Sequence, residues 1–308
     1  MQANKIDSNQ YADLVRLAAF AATVTAFILV VLKLYAFFVT DASSMLASAT
    51  DSILDLFASI MNMVILRFAL APADNEHKFG HGKAESLAGL VQAAFVLGSA
   101  LLLVFNGVDR VINPQQVVRT EVGIGVSIIA IVMTLVLVML QKYVINRTKS
   151  VAISADALHY QSDLILNLGV LAALFLSQGY WLQADGFFTV AVGIFLLIGA
   201  GKIIWTSVHQ LMDHELTPEE LTIIKKIVLA HEGTYGLHEL RTRQAGPDRF
   251  IQFHLELDGD LSLLEAHTIG EAIEVEIIAA LAPCEVFIHH DPLSAANHQQ
   301  STDEIKPV

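Results

Sequence analysis

Six stretches of about 20 residues, the length a bilayer core requires of a helix, lie near residues 15–40, 43–70, 88–108, 121–141, 151–177 and 183–206. Apolar runs of that number and length leave little choice of fold class. The expectation is a helical membrane protein with six transmembrane helices. Composition agrees: 16% of the 308 residues are charged, against about a quarter in ordinary soluble domains. The N-terminus is polar to about Asp13 and the first run is long enough to span, so no cleavable signal peptide is expected. Lys and Arg set the orientation. Lys5 and Arg16 precede the first run, Arg67, Lys78 and Lys83 lie between the second and third, and Lys142, Arg147 and Lys149 between the fourth and fifth. The opposite loops hold Arg110 and Arg119. By the positive-inside rule both termini are cytoplasmic.

The domain division follows from charge and pattern. Residues 1–212 hold 13 acidic and 12 basic side chains, and 213–308 hold 18 and 6. Almost all of the net charge of -13 therefore sits in the last third. Residues 213–292 read as helix (TPEELTIIKKIVLAH), strand (LHELRTRQ), strand (RFIQFHLELD), helix (LSLLEAHTIGEAIEVEIIAALA) and strand (CEVFIHHD), a ferredoxin-like αββαβ order in a cytoplasmic α+β domain. Residues 293–308 are polar and aperiodic and are expected to be a disordered tail. An acidic aqueous domain is a poor partner for nucleic acid or anionic lipid and a reasonable one for metal cations. The lone Cys284 excludes an intramolecular disulfide and a cysteine-cluster metal site, and reads as a small buried residue at a strand start.

Against this background TDSILD, residues 50–55, is anomalous. An Asp at the centre of a membrane helix costs roughly 2.5–3.5 kcal/mol on insertion scales. Asp51 and Asp55 are i, i+4, on one helix face and about 6 Å apart in rise, close enough to bind one cation together. A second such pair, His159 and Asp163, sits in ISADALHYQSDLILNLG in the fifth run. Three carboxylates and one imidazole give the four N/O ligands that tetrahedral Zn²⁺ accepts. Without a cation, three carboxylates in a poorly hydrated site hold protons instead, so metal and protons compete for the same atoms. Lys33, in the first run, is expected to snorkel outward and is assigned no role.

The D-x-x-x-D and H-x-x-x-D pair resembles the transport site of the cation diffusion facilitators, and among them the bacterial zinc and ferrous-iron efflux transporters. The resemblance extends through the six spans, the loop PADNEHKFGHGKAES, and HELRTRQAGPDRFIQFHLEL followed by HHDP. It implies a homodimer in the bacterial inner membrane, surrounded by lipid, that exchanges cytoplasmic divalent metal (Zn²⁺, with Fe²⁺ and Cd²⁺ conceivable) for protons. It further implies a loop metal site at Asp74, His77 and His81, whose spacing allows one helical turn to gather them, and an ion pair between Lys83 and Asp213 linking membrane and cytosolic parts. A cytoplasmic binuclear zinc site at His238, His254, His267, His289 and Asp291 is also implied. Strand alternation independently places His289 with Asp291, and His254 on the polar side of its strand. His290 points the other way.

Two other classes are weighed. A membrane-embedded metallohydrolase would use the same ligands to activate water, but no H-E-x-x-H is present and a catalytic zinc keeps an open coordination place. A metal-responsive receptor without flux would tolerate loss of the intramembrane carboxylates.

Overall fold

A computed structural model of the chain describes residues 8–40, 43–113, 121–177 and 183–293. It separates into two compact units at Leu211/Met212. Of the expected tail, residues 293–308, all but Leu293 lie outside the described residues, as does the loop with Arg119.

The membrane unit is six helices: α1 (Ser8–Thr40), α2 (Ser43–Ala69), α3 (Lys83–Ile112), α4 (Glu121–Thr148), α5 (Val151–Ser177) and α6 (Ala184–Leu211). All six expected spans are helical. Among the described residues, each except α5 contains a stretch long and apolar enough to cross a membrane. Helix α5 carries Asp156, His159 and Asp163 in the half nearer its start. Large apolar side chains such as Phe20, Phe38, Leu102, Phe105 and Trp205 point outward, the inverse of a soluble protein and suited to lipid. Small residues line the contacts between helices. The most extensive packing is α3 on α6, where a Cβ on Gly107 would come within 2.9 Å of the Val190 backbone nitrogen and one on Gly186 within 2.7 Å of the Val111 nitrogen. Close backbone approach of this kind is how membrane helices gain dispersion energy without a hydrophobic driving force.

Buried polar groups tie the same helices. Ser59 Oγ lies 2.8 Å from the Tyr160 hydroxyl, Gln141 Nε2 donates to Asp156 Oδ2 at 2.7 Å, and the Tyr11 hydroxyl donates to Glu85 Oε2 at 2.5 Å. Lys33 corrects an expectation. Its Nζ donates to Ser52 Oγ on α2 at 2.6 Å instead of snorkelling outward, and Ser52 is buried.

The second unit runs α7 (Pro218–Ala230), β1 (Thr234–Ala245), β2 (Asp248–Leu257), α8 (Leu263–Leu281) and β3 (Cys284–Pro292), the αββαβ order expected. Both helices start with a capping box, Thr217 with Glu220 and Ser262 with Glu265, and α7 has Pro at its first position; these satisfy amides no helical carbonyl can reach. Strands β1 and β2 form a hairpin in which Ala245 faces Asp248 across Gly246 and Pro247. Gly246, at φ +60°, takes the left-handed first position that such a turn demands. The sheet order is β1-β2-β3, with β3 parallel to β2 after the α8 crossover. Ile251, Phe253, Leu255 and Leu257 are buried and pack with Ile224, Val228, Ile273 and Ile277 of the two helices, so the alternate residues of β2 form the opposite, wetter face. Cys284 opens β3 half-buried instead of fully buried.

Glu220 makes the helix start pH-sensitive. Burial pushes its carboxyl up, but the Thr217 amide and the Arg249 side chain, whose Nε donates to Glu220 Oε1 at 2.9 Å, more than offset this and hold it below the ordinary glutamate range. The unfolded chain therefore binds the proton first. This stabilisation is fully present above the unfolded glutamate pKa and is lost as pH falls through the lower folded value. Glu220→Ala is expected to destabilise this unit by about 1–2 kcal/mol, with α7 amides exchanging ~10-fold faster in the full-length protein at pH 7. Equal exchange in the two proteins would show that the cap contributes nothing.

Candidate metal centres

Three clusters of metal-ligating side chains occur among the described residues, each with one donor atom per residue lying within 4.8 Å of the others.

The first is in the membrane unit. Helices α2 and α5 bring Asp55 Oδ1 to 3.0 Å from His159 Nε2, and Asp163 Oδ2 to 3.6 Å from the same nitrogen. The i, i+4 spacing puts His159 and Asp163 on one face of α5, and Asp55 meets them from α2. Two carboxylates converge on a single imidazole nitrogen, the arrangement in which a divalent cation replaces a proton shared between them. Asp51 is outside the set; it is exposed, one turn before Asp55. Lys33, held at Ser52 beside it, is near enough for its charge to act on both Asp51 and Asp163. The sequence reading passed over Asp156, one turn before His159, although it stands in the quoted segment. Its side chain is fully buried, with Oδ1 lacking a hydrogen-bond partner. A carboxylate within an apolar run was the available signal.

The second cluster is the loop Asp74, His77 and His81. No helical turn gathers these residues, contrary to expectation. Asp74 Oδ1 instead accepts the amides of Glu76 (2.8 Å) and His77 (2.7 Å), folding the chain back on itself. These backbone bonds, His77's first, hold the Asp74 carboxyl below the usual range, so it stays ionised as pH falls. His81 is buried against Phe68, with ring centroids 4.5 Å apart. Its Nδ1 lies 3.2–3.3 Å from the carbonyls of Pro72 and Ala71. Carbonyls only accept, so Nδ1 carries the proton. Nε2 faces Asp74 Oδ2 at 3.3 Å, so a cation between them would meet both a ring nitrogen and a carboxylate.

The third cluster lies on the open face of the sheet. Asp291 Oδ2 is 2.8 Å from His254 Nδ1 and 3.2 Å from His238 Nε2, and Asp291 Oδ1 is 3.1 Å from His289 Nε2. One carboxylate thus contacts three imidazoles, a donor set of the type zinc favours, with room for a bridging role. Sequence alternation anticipated His254, His289 and Asp291. His238 joins them because it is the direct cross-strand partner of His254. His267 and His289 are not in the 4.8 Å set; both are exposed, His267 on α8 and His289 on β3. His290 packs under α8, where a Cβ on Gly270 would fall 2.3 Å from its Nε2, and that nitrogen is buried without a hydrogen-bond partner. Burial, then the neighbouring His267 and His289, push the His290 pKa down, so a neutral ring is what fits there. Two carboxylates beside the cluster, Glu239 and Glu256, were not expected. Glu239 has a left-handed backbone (φ +48°) where β1 bulges between His238 and Arg241.

For the proposed link, Lys83 Nζ donates to the Leu211 carbonyl at 3.4 Å and Asp213 Oδ2 lies 3.6 Å from Arg243 Nη1.

Comparisons with known proteins bear on the family of the chain. Residues 19–212 match the family model described as the cation efflux transmembrane domain, and residues 216–293 match that of the cation efflux protein cytoplasmic domain. The chain is 48% identical over 286 residues to the cation-efflux pump FieF of Shewanella oneidensis, covering 93% of this chain and 97% of that protein. It is 44% identical over 290 residues to FieF of Pectobacterium atrosepticum, covering 94% and 97%. Among solved structures, the metal-bound C-terminal domain of the CzcD transporter from Thermotoga maritima matches at 28% identity and a TM-score of 0.24, over 25% of this chain and 95% of that one. The cytosolic domain of a cation diffusion facilitator family protein matches at 28% identity and a TM-score of 0.24, over 26% and 99%.

Proposed function

From the premise that this chain belongs to the cation efflux family, a family of transporters and not enzymes, we propose that it carries Zn²⁺ out of the bacterial cytoplasm in exchange for protons, as a homodimer in the inner membrane. The observation that carries this reading is the meeting of Asp55, His159 and Asp163 around one imidazole nitrogen inside the membrane unit. Asp51 supplies the fourth ligand of a tetrahedral site. Zn²⁺ suits three oxygens and one nitrogen, and Fe²⁺ and Cd²⁺ are further substrates of the same donor set. When metal leaves, the same oxygens and nitrogen take protons, because charged carboxylates away from water require a positive partner. A proton gradient directed inward then favours metal release outward.

The loop and sheet-face clusters are assigned as accessory zinc sites, Asp74 with His77 and His81, and His238, His254, His267, His289 and Asp291. Lys83 and Asp213 are assigned as the link between the two parts of the chain. The functional test is flux into proteoliposomes enclosing a zinc indicator, with a pH-sensitive dye recording protons in parallel. Zinc entry is expected to drive protons the other way and to rise when the zinc-free side is acidified. Zinc flux with no proton movement would leave a uniporter and overturn the exchange.

A further inference from the structure

The open face of the cytoplasmic sheet carries two parallel rows of side chains. His238 pairs with His254 and His254 with His289; two residues further along β2 and β3, Glu256 pairs with Asp291, and Glu256 is partnered on β1 by Gly236. Residues two apart on a strand share a face, so the imidazole row lies beside a row reading Gly236, Glu256, Asp291. The two rows interlock at His238. Its Nε2 is 3.2 Å from Asp291 Oδ2, inside the cluster, while its Nδ1, on the far side of the ring, is 3.0 Å from Glu256 Oε1. Glu256 is largely buried and is not a member of the 4.8 Å ligand set. Its other oxygen, Oε2, occupies the space above Gly236, where a Cβ would come within 2.7 Å of it.

We propose that Glu256 is a positioning residue of the cytoplasmic metal site. It accepts the Nδ1–H of His238, so that Nε2 presents its lone pair to a metal shared with His254 and Asp291, and Gly236 is the residue that makes room for it. The inference rests on the reading of this cluster as a zinc site. A neutral imidazole has one N–H, and fixing it at Nδ1 leaves Nε2 as the donor; a carboxylate in that place also orients the ring and raises its basicity. Gly236 does not have a left-handed backbone, so an added methyl there alters space alone. That allows Glu256 to be displaced without changing it or any ligand.

The test uses the full-length chain in nanodiscs carrying Asp55→Ala, Asp163→Ala and Asp74→Ala, which leaves the sheet-face cluster for Zn²⁺, titrated against a fluorescent chelator. Glu256→Gln, whose amide oxygen accepts the same proton, is expected to stay within ~3-fold of the background protein. Glu256→Leu should bind ~10- to 100-fold more weakly, and Gly236→Ala should fall between the two. In ¹⁵N-histidine spectra of the zinc-loaded protein, the His238 signals, identified by their loss in His238→Ala, should show a protonated Nδ1 and a metal-bound Nε2 in the background protein and in Glu256→Gln. Unchanged affinity and an unchanged His238 pattern in Glu256→Leu would overturn the proposal. So would a Glu256→Gln protein as weak as Glu256→Leu, which would mark Glu256 as a charged ligand. If Glu256→Leu fails to fold, Gly236→Ala decides by the same criteria. A background protein that binds no zinc removes the metal-site reading itself, and the proposal with it.

Discussion

Asp55→Ala is expected to reduce zinc flux through reconstituted protein to that of protein-free vesicles. In the cluster Asp55, His159 and Asp163, it is the only member on α2, and its oxygen lies nearer to His159 Nε2 than that of Asp163 does, 3.0 Å against 3.6 Å. Without it the remaining pair belongs to one helix, and the cation no longer joins α2 to α5. Even outer-shell partners of a metal site are worth 10- to 100-fold in affinity, so loss of a ligand should cost on the order of 100-fold or more. Asp51→Ala is expected to lose transport too, since a tetrahedral ion needs a fourth donor. Folding should survive, because removing one of several converging carboxylates relieves repulsion. Zinc flux that persists in Asp55→Ala, in protein that elutes and melts like the parent, would exclude this cluster as the transport site.

Gly107→Ala should produce a large loss of stability from a single methyl. The added carbon would meet Val190 Cγ2 at 2.8 Å, the Val190 nitrogen at 2.9 Å and the Gly186 carbonyl at 3.0 Å. Two of these three atoms are backbone, so no rotamer change relieves the clash and α3 must move away from α6. Overpacking of this type costs about 1–3 kcal/mol. Gly98, on the same helix, has open space where its Cβ would be. Gly98→Ala should therefore be neutral or stabilising by up to about 1 kcal/mol, the helix-interior preference for Ala. Thermal melts of both variants in detergent give the comparison, and equal melting would mean that the α3–α6 contact is looser than these distances.

Much of this architecture was legible because a bilayer imposes a length on apolar runs and a sheet imposes a period of two. What hydropathy could not give was where the helices end. Helix α3 begins at Lys83 and α6 runs to Leu211, beyond the apolar stretches, because polar residues sustain helical hydrogen bonds as well as apolar ones do. The loop site was legible in its residues but not in its geometry: two amides captured by Asp74 do what a helical turn was expected to do. Lys33 was misjudged because its partner, Ser52, is invisible until α1 and α2 are packed. Glu256 was missed for a related reason, since its contact with His238 exists only once two strands are paired; Asp156 was missed although its place within an apolar run was a signal. The cytoplasmic set, His238 included, was named through the family resemblance; alternation, a local property of one strand, supports His254, His289 and Asp291 independently, whereas the place of His238 beside His254 depends on the pairing of two strands.

The parallel seating of β3 on β2 also makes the sheet a checksum on its own assembly. Phe253 of β2 pairs with Ile288, and His254 with His289, so the apolar residues and the proposed ligands are interleaved along one backbone. A slip by one residue would turn His289 and Asp291 toward α8 and bring Ile288 and His290 into the open. The core would reject that arrangement long before any metal was offered. A one-residue deletion inside β3 is therefore equivalent to removing two proposed ligands at once, whereas changes of length in the Asp258–Leu261 connection leave the register intact. Folding and metal competence in this domain are inherited together.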